Sequence, residues 1–380
     1  MATLLQSDVS NNGINSPALE DTDLETFDEV DFVKVPPDDV FAFNELRSCA
    51  DLYRMCRDNQ IETQPYYQRE YVWSNPTQTR FIDSLAKSLP IPSMCFSMDF
   101  RTGNWQVIDG QQRMSTIIKF LNGNWRLSKL PDVDDVLSGV TIPDLDTDSS
   151  EGNPELFRLI QRIENTTLPI TVLRCNTSDP SHMEYIFTIF HRLNTGGNKL
   201  NNQEIRNCIY SGPFNDLLNE MDNNPHWLDI HGRGPLQTKR FRGQEIILRF
   251  FALQDGMQTY KNSLVRFLND YMFRNRYPSD DFLDAKRDLF LQTVEVVWHK
   301  VFGETYKRWP IAILEALLVG VVTNLESVAA GSADDAQKMF ETLLRSDAFS
   351  ETALSAGLAR REKVEARIST AIRVFSGSAL

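Results

Sequence analysis

Between Ser93 and Gly123 the sequence reads "SMCFSMDFRTGNWQVIDGQQRMSTIIKFLNG", and few chain paths accommodate that order of signals. Two short apolar stretches, "SMCFSMDF" and "WQVIDG", are separated by the turn-forming "RTGN", which predicts two strands joined as a hairpin. Behind the second strand, Met114, Ile117, Ile118 and Leu121 recur at helical spacing as far as Gly123, a residue suited to the left-handed conformation that closes helices. A strand therefore runs through Asp109-Gly110 directly into a helix whose first turn is "QQR". Upstream, "TQTRFIDSLAKSLPIP" puts Phe81, Ile82, Leu85 and Leu89 at helical spacing and stops at Pro90, so the local order is helix, hairpin, helix.

The flanking segments extend this pattern. Residues 128–154 are rich in Asp, Ser, Gly and Pro and read as a long surface excursion, after which "LPITVLRC" is another strand. "SHMEYIFTIFHRLNTGGNKLNNQEIRNCIY" reads as helix, glycine loop, helix, with Asn201 and Glu204 spaced as a capping box. From about residue 213 onward nearly every segment has helical spacing, including "GQEIILRFFALQ", "DFLDAKRDLFLQTVEVVWHKVF" and "AQKMFETLLR". The expected fold class is α+β: an acidic tail over 1–40, an α/β domain over 41–210 and a helical domain over 211–380.

Composition narrows the setting. The chain has 380 residues, 41% apolar and 24% charged, enough for more than one core. Most of its net charge of −13 lies in the tail, where Asp8, Glu20, Asp21, Asp23, Glu25, Asp28, Glu29, Asp31, Asp38 and Asp39 face the single Lys34. The body is thus close to balanced, and an isoelectric point near 5.0 does not argue against a local basic surface. The polar, aperiodic start reads as disordered. Cys49, Cys56, Cys95, Cys175 and Cys208 are odd in number and lack metal-type spacing, which predicts free thiols in a reducing, cytoplasmic setting. No secretory start is apparent, and the longest apolar run, "IAILEALLVGVV", is interrupted by Glu315 and too short to span a bilayer.

Three clusters carry chemistry. At the Asp109-Gly110 corner, unpaired helix amides and the helix dipole favour an anion, Arg113 adds a forked cationic donor, Asp109 can ligate a hydrated divalent metal ion or orient a water, and Gln111 and Gln112 can position a water without titrating. The competing reading is a plain polar helix start capped by Asp109. In "YQREYVW", Arg69, Tyr71 and Trp73 alternate with Gln68 on the opposite face, a pattern that stacks a base or buries one face of an amphipathic strand. "FHRLNTGGNKLNNQEIRN" offers Asn194 and its glycines for close approach to a phosphate or ribose, or merely a helix stop followed by a capped start. No Walker loop, GxSxG or HExxH segment occurs, and His182, His226, His231 and His299 show no zinc-type spacing.

Taken together, "YYQREYVWSNPTQTRFIDSLAKSLPIPSM", "GNWQVIDGQQRMSTIIKFLNG" and "FHRLNTGGNKLNNQEIRN" resemble, in order and spacing, the N-terminal domain of GmrSD-type modification-dependent restriction systems, a domain also found in SspE of phosphorothioate-linked phage defence. The resemblance spans residues 45 to 210. It implies a ParB/sulfiredoxin-like α/β core that binds and hydrolyses nucleoside triphosphates with Mg²⁺ or another divalent cation. By that resemblance Asp109, Gly110, Gln111, Gln112 and Arg113 are the nucleotidase motif, with Asp109, Gln111, Gln112 and Arg113 catalytic. Gln68 and Arg69 match the QR element, and Asn194, Glu204 and Arg206 match a later nucleotide-binding block. Tyr67 and Tyr71 become candidates for sensing modified DNA, and Lys239, Arg240 and Arg242 in "TKRFRG" candidates for its backbone.

Restriction members also carry, or pair with, a His-Asn-His nuclease domain, and no matching His-rich block occurs here. The expected function is an NTP-dependent DNA-sensing module acting with a separate nuclease subunit, not itself a nuclease and without a membrane partner. Two alternatives stay open: a non-catalytic nucleotide- or DNA-binding scaffold that docks a partner protein, and a residual nuclease activity in the α/β core.

Overall fold

The structure is a computed structural model that describes residues 35–62, 73–144, 153–193, 200–232, 241–305, 307–355 and 357–378. It divides into two compact units, Phe32–Leu200 and one that contains Asn201–Leu380.

The first unit is built on a mixed five-stranded sheet. Its strands are β1 (Phe41–Ser48), β2 (Ile61–Glu62), β3 (Met94–Asp99), β4 (Trp105–Asp109) and, after a two-stranded ribbon of β5 (Trp125–Arg126) and β6 (Thr141–Ile142), β7 (Thr167–Cys175). The order across the sheet is β1-β7-β3-β4-β2. β3 and β4 form the expected antiparallel hairpin, whereas β3 runs parallel to β7 and β4 parallel to β2. Asp99 fixes the hairpin's closed end: one carboxylate oxygen accepts from the Arg101 and Thr102 amides at 2.7 and 3.2 Å, and the other accepts from Thr177. Burial raises the Asp99 pKa, but these hydrogen bonds outweigh it and leave the carboxyl below its ordinary range.

Helices α1 (Cys49–Arg57), α2 (Asn75–Ala86), α3 (Gln111–Leu121) and α4 (Pro154–Asn165) share a core with the sheet. Leu52, Ile82, Leu85, Ile117, Phe120 and Ile163 meet Met94, Phe96, Val107, Leu168, Ile170 and Val172 there. Strand alternation sends Cys95, Ile108 and Leu173 to the opposite side, where α5 (Pro180–Leu193) lies against β4. The expected surface excursion over 128–154 is corrected: Val133, Leu137 and Ile142 are buried in the same core as the helices. Isolated apolar residues among Asp, Ser and Gly carry no period that reveals burial, and residues 145–152 lie outside those described.

In residues 201–380 the described elements are helical, and no strand occurs among them. They are α6 (Asn202–Ile209), α7 (Pro213–Asp222), α8 (Pro225–His231), α9 (Arg242–Gly256), α10 (Leu264–Arg274), α11 (Asp280–Val296), α12 (Ile311–Thr323), α13 (Leu325–Ala330), α14 (Ala333–Arg345) and α15 (Arg361–Phe375). α12 is the long apolar run, and it is buried on every side from Ile311 to Val322. Gly320 lets α15 approach it, because a Cβ there would fall 2.9 Å from the Ala371 backbone.

The one acid in that run, Glu315, anchors a buried ion network. It accepts from Arg249 of α9 at 3.2 Å and from Arg367 of α15 at 2.9 Å, while Arg249 also holds Glu245 at 2.6 Å. No described helix is long and apolar enough to cross a membrane. Glu315→Gln leaves the buried Arg367 without an ionic partner and Arg249 with Glu245 alone, and should cost about 3–5 kcal/mol of unfolding free energy, measured by denaturant titration.

Candidate functional site

β4 ends at Asp109, and the chain enters α3 through Gly110 at φ +98° and ψ 12°. This left-handed conformation is open to glycine at little cost. The space is equally demanding, since a Cβ at Gly110 would stand 2.5 Å from Met94 Cγ on the neighbouring strand. Glycine thus lets the helix start close above β3.

No side chain caps α3, and its first turn holds no acidic residue. Met114 N–H, which donates to the Gly110 carbonyl at 2.9 Å, makes the first helical hydrogen bond. The amides of Gln111, Gln112 and Arg113 therefore stand at the positive end of the helix dipole without an internal acceptor. The reading of Asp109 as the cap of this helix is corrected: its carboxylate turns instead to Arg113, and a residue leading into a left-handed glycine is displaced from the capping position.

Arg113 is largely buried and Asp109 half-exposed, with side-chain exposures of 13% and 45%. Arg113 Nη2 donates to Asp109 Oδ2 at 2.8 Å, and its Nη1 donates to the carbonyls of Pro92 and Ser93. One guanidinium thereby locks the carboxylate to the segment entering β3. Asp109 Oδ1 forms no hydrogen bond to a described residue and, on a half-exposed side chain, is an available acceptor or metal ligand.

The two glutamines differ in the same way. Gln112 Oε1 accepts from the Trp73 backbone N–H at 2.9 Å and pins the point where the described chain resumes before α2. The Gln111 side chain has no hydrogen-bond partner among the described residues. Cys95 is paired in register with Asp109 but is no nucleophile; burial first, and then the Asp109 charge, push its thiol up to about 12. It is un-ionised at neutral pH and so unreactive.

Tyr67, Gln68, Arg69, Tyr71, Asn194, Lys239 and Arg240 lie outside the described residues. Glu204 and Arg206 belong to α6 in the helical unit and are accounted for within it. Glu204 completes the expected capping box, accepting from the Asn201 amide at 2.7 Å while Asn201 Oδ1 accepts from the Glu204 amide at 2.8 Å. Arg206 is fully buried, donating to Asn269 at 2.8 Å and to Gln203 at 3.4 Å. Arg242 donates to the carbonyls of His231 and Trp309 at 2.8 and 2.9 Å. Sequence reading missed Met94 and the Pro92 and Ser93 carbonyls and offered Trp73 only for its ring; the Trp73, Pro92 and Ser93 contacts run through backbone atoms, which leave no residue-type signal.

Residues 52–211 match the family model of the GmrSD restriction endonuclease N-terminal domain. This stretch belongs to that family. The matched region includes the whole Asp109–Arg113 corner and reaches through α6 into the helical unit. No curated protein and no solved structure matches the chain.

Gly110→Ala should cost about 1–3 kcal/mol in a denaturation experiment through its positive φ, with the Met94 contact adding to that loss. Met94→Ala by itself empties a core position, and the double variant should lose less stability than the sum of the two single changes, by the contact part alone. Because its thiol titrates near 12, Cys95 should resist iodoacetamide in the native protein through pH 9 and react on unfolding, as followed by mass spectrometry.

Proposed function

We propose that the Asp109–Arg113 corner binds and hydrolyses a nucleoside triphosphate, and that the chain uses this site within a DNA-sensing, restriction-related module that acts with a separate nuclease. The observation that carries the reading is the uncapped start of α3, free of acidic residues, beside a carboxylate oxygen with no described partner. Amides at a helix N-terminus suit phosphate oxygens. Asp109 Oδ1 is oriented to meet a hydrated divalent cation that accompanies them. The donor set fits Mg²⁺, which takes one or two carboxylates together with water and phosphate oxygens, and a bound Mg²⁺ supplies neutralisation of phosphate charge.

Within this scheme the residues divide their work. Arg113 spends most of its hydrogen-bonding capacity on Asp109, Pro92 and Ser93, so it acts chiefly by fixing the carboxylate, with its remaining N–H groups directed to phosphate. Gln111, not Gln112, is the amide free to orient an attacking water, because Gln112 Oε1 is held by Trp73. Gly110 supplies the left-handed turn that presents the first amides of α3 beside Asp109. Arg69 and Gln68, which lie within the matched range, complete the grip on the nucleotide in this reading, and the name of the family supports DNA as the macromolecular partner.

Phosphate release from ATP, GTP, CTP and UTP, measured with and without DNA, tests the proposal. Asp109→Ala should lower kcat by about 100-fold or more. Gln111→Ala should lower kcat with little change in KM, whereas Gln112→Ala should act through stability. Turnover that survives Asp109→Ala rejects this site, and nucleotide binding without turnover selects the scaffold alternative.

A further inference from the structure

Three side chains from two separate segments of the helical unit converge around one point. His226 lies in the first turn of α8, Glu295 near the end of α11, and His299 in the π-helical turn Val297–Val301 that follows it. Their ligand-type atoms all lie within 4.8 Å of one another. His226 Nδ1 is 2.8 Å from Glu295 Oε1, and His299 Nε2 is 3.2 Å from Glu295 Oε2. Ligands on a tetrahedral ion at bond lengths of about 2.0–2.1 Å sit roughly 3.3 Å apart. The three groups therefore reach that spacing by side-chain adjustment alone.

We propose that His226, Glu295 and His299 bind a zinc-class divalent cation, with the fourth position open to water. Two imidazoles and one carboxylate favour Zn²⁺, Co²⁺ or Ni²⁺ over Mg²⁺ or Ca²⁺, which prefer an all-oxygen set.

The surroundings are those of a metal site as well. Glu304 Oε1 lies 2.8 Å from His299 Nδ1, and a carboxylate there fixes the proton on Nδ1 and leaves the Nε2 lone pair directed into the cluster. Reaching that position requires two successive left-handed residues, Gly303 at φ +56° and Glu304 at φ +59°. The second is costly for a non-glycine residue. The His226 ring stacks on Trp298 at a centroid distance of 5.9 Å and an angle of 19°, which sets its plane. The Phe302 amide donates to the Val297 carbonyl at 2.9 Å, closing the wide turn, and such turns gather at functional sites. Glu295 and His299 stand four residues apart on one helical face, a spacing visible in the sequence but passed over because His226 is distant in the chain.

The ion would clamp α8 to the end of α11. Calorimetric titration of the full chain with Zn²⁺, with Co²⁺ absorption reporting the coordination, tests the site. One Zn²⁺ per chain is expected, with four-coordinate Co²⁺ bands and a raised Tm. His226→Ala, Glu295→Gln and His299→Ala should each abolish saturable binding while circular dichroism shows an unchanged fold. Glu304→Gln should keep the stoichiometry and weaken affinity about 10–100-fold. Asp109→Ala should leave the Zn²⁺ isotherm unchanged, which separates this site from the nucleotide corner. Absence of saturable binding at micromolar Zn²⁺, or binding that survives His299→Ala, would overturn the proposal.

Discussion

The contact between Gly110 and Met94 is the constraint on which the candidate site rests. Because position 110 has no side chain and adopts positive φ, β4 turns into α3 directly over β3. That closeness brings Arg113, one helical turn on, within reach of both Asp109 and the carbonyls of Pro92 and Ser93. The same turn displaces Asp109 from capping α3 and leaves its outer oxygen and the first helix amides available together. A wider connection would separate these groups, so the backbone geometry comes first and the chemistry of the corner follows from it.

The surrounding sheet makes this corner rigid. β4 is held between β3 and β2, Asp99 ties the hairpin to the residues after β7, and α3 is fastened to the common core through Met114, Ile117, Phe120 and Leu121. Gln112 adds a tether outside the core by accepting from Trp73. Groups that must meet a ligand in one arrangement thus stand on elements whose own positions are already determined.

The helical unit solves a different problem. α9 and α12 are buried along nearly their whole circumference, so they carry no polar face to water, and their few charged side chains must be satisfied inside. Glu315, Arg249, Glu245 and Arg367 answer this by pairing with one another across three helices. Breaking one partner of such a network costs more than the network adds over apolar packing of the same volume. Arg206 and the neighbouring amides Gln203, Asn207, Gln244 and Asn219 form a second internal polar chain. A block that the sequence offered as nucleotide-binding therefore contains side chains engaged in holding helices together.

The sequence by itself determined the hairpin, the helix after it, the capping box at Asn201 and the mostly helical second half, since each depends on local period or on a residue type with one strong conformational preference. Asp109, Gly110, Gln111, Gln112 and Arg113 were legible as a group for the same reason: they are contiguous, so their proximity needs no folding to establish. Their separate roles were not legible. Which glutamine is tethered, whether Arg113 grips a ligand or a carboxylate, and whether Asp109 caps a helix depend on Trp73, Pro92, Ser93 and Met94, and these enter through backbone atoms or packing. The burial of Val133 and Leu137 and the meeting of His226 with Glu295 and His299 were likewise decided only by tertiary structure. Sequence periodicity reports the environment along one element, whereas contacts between distant elements are fixed by how their faces pack.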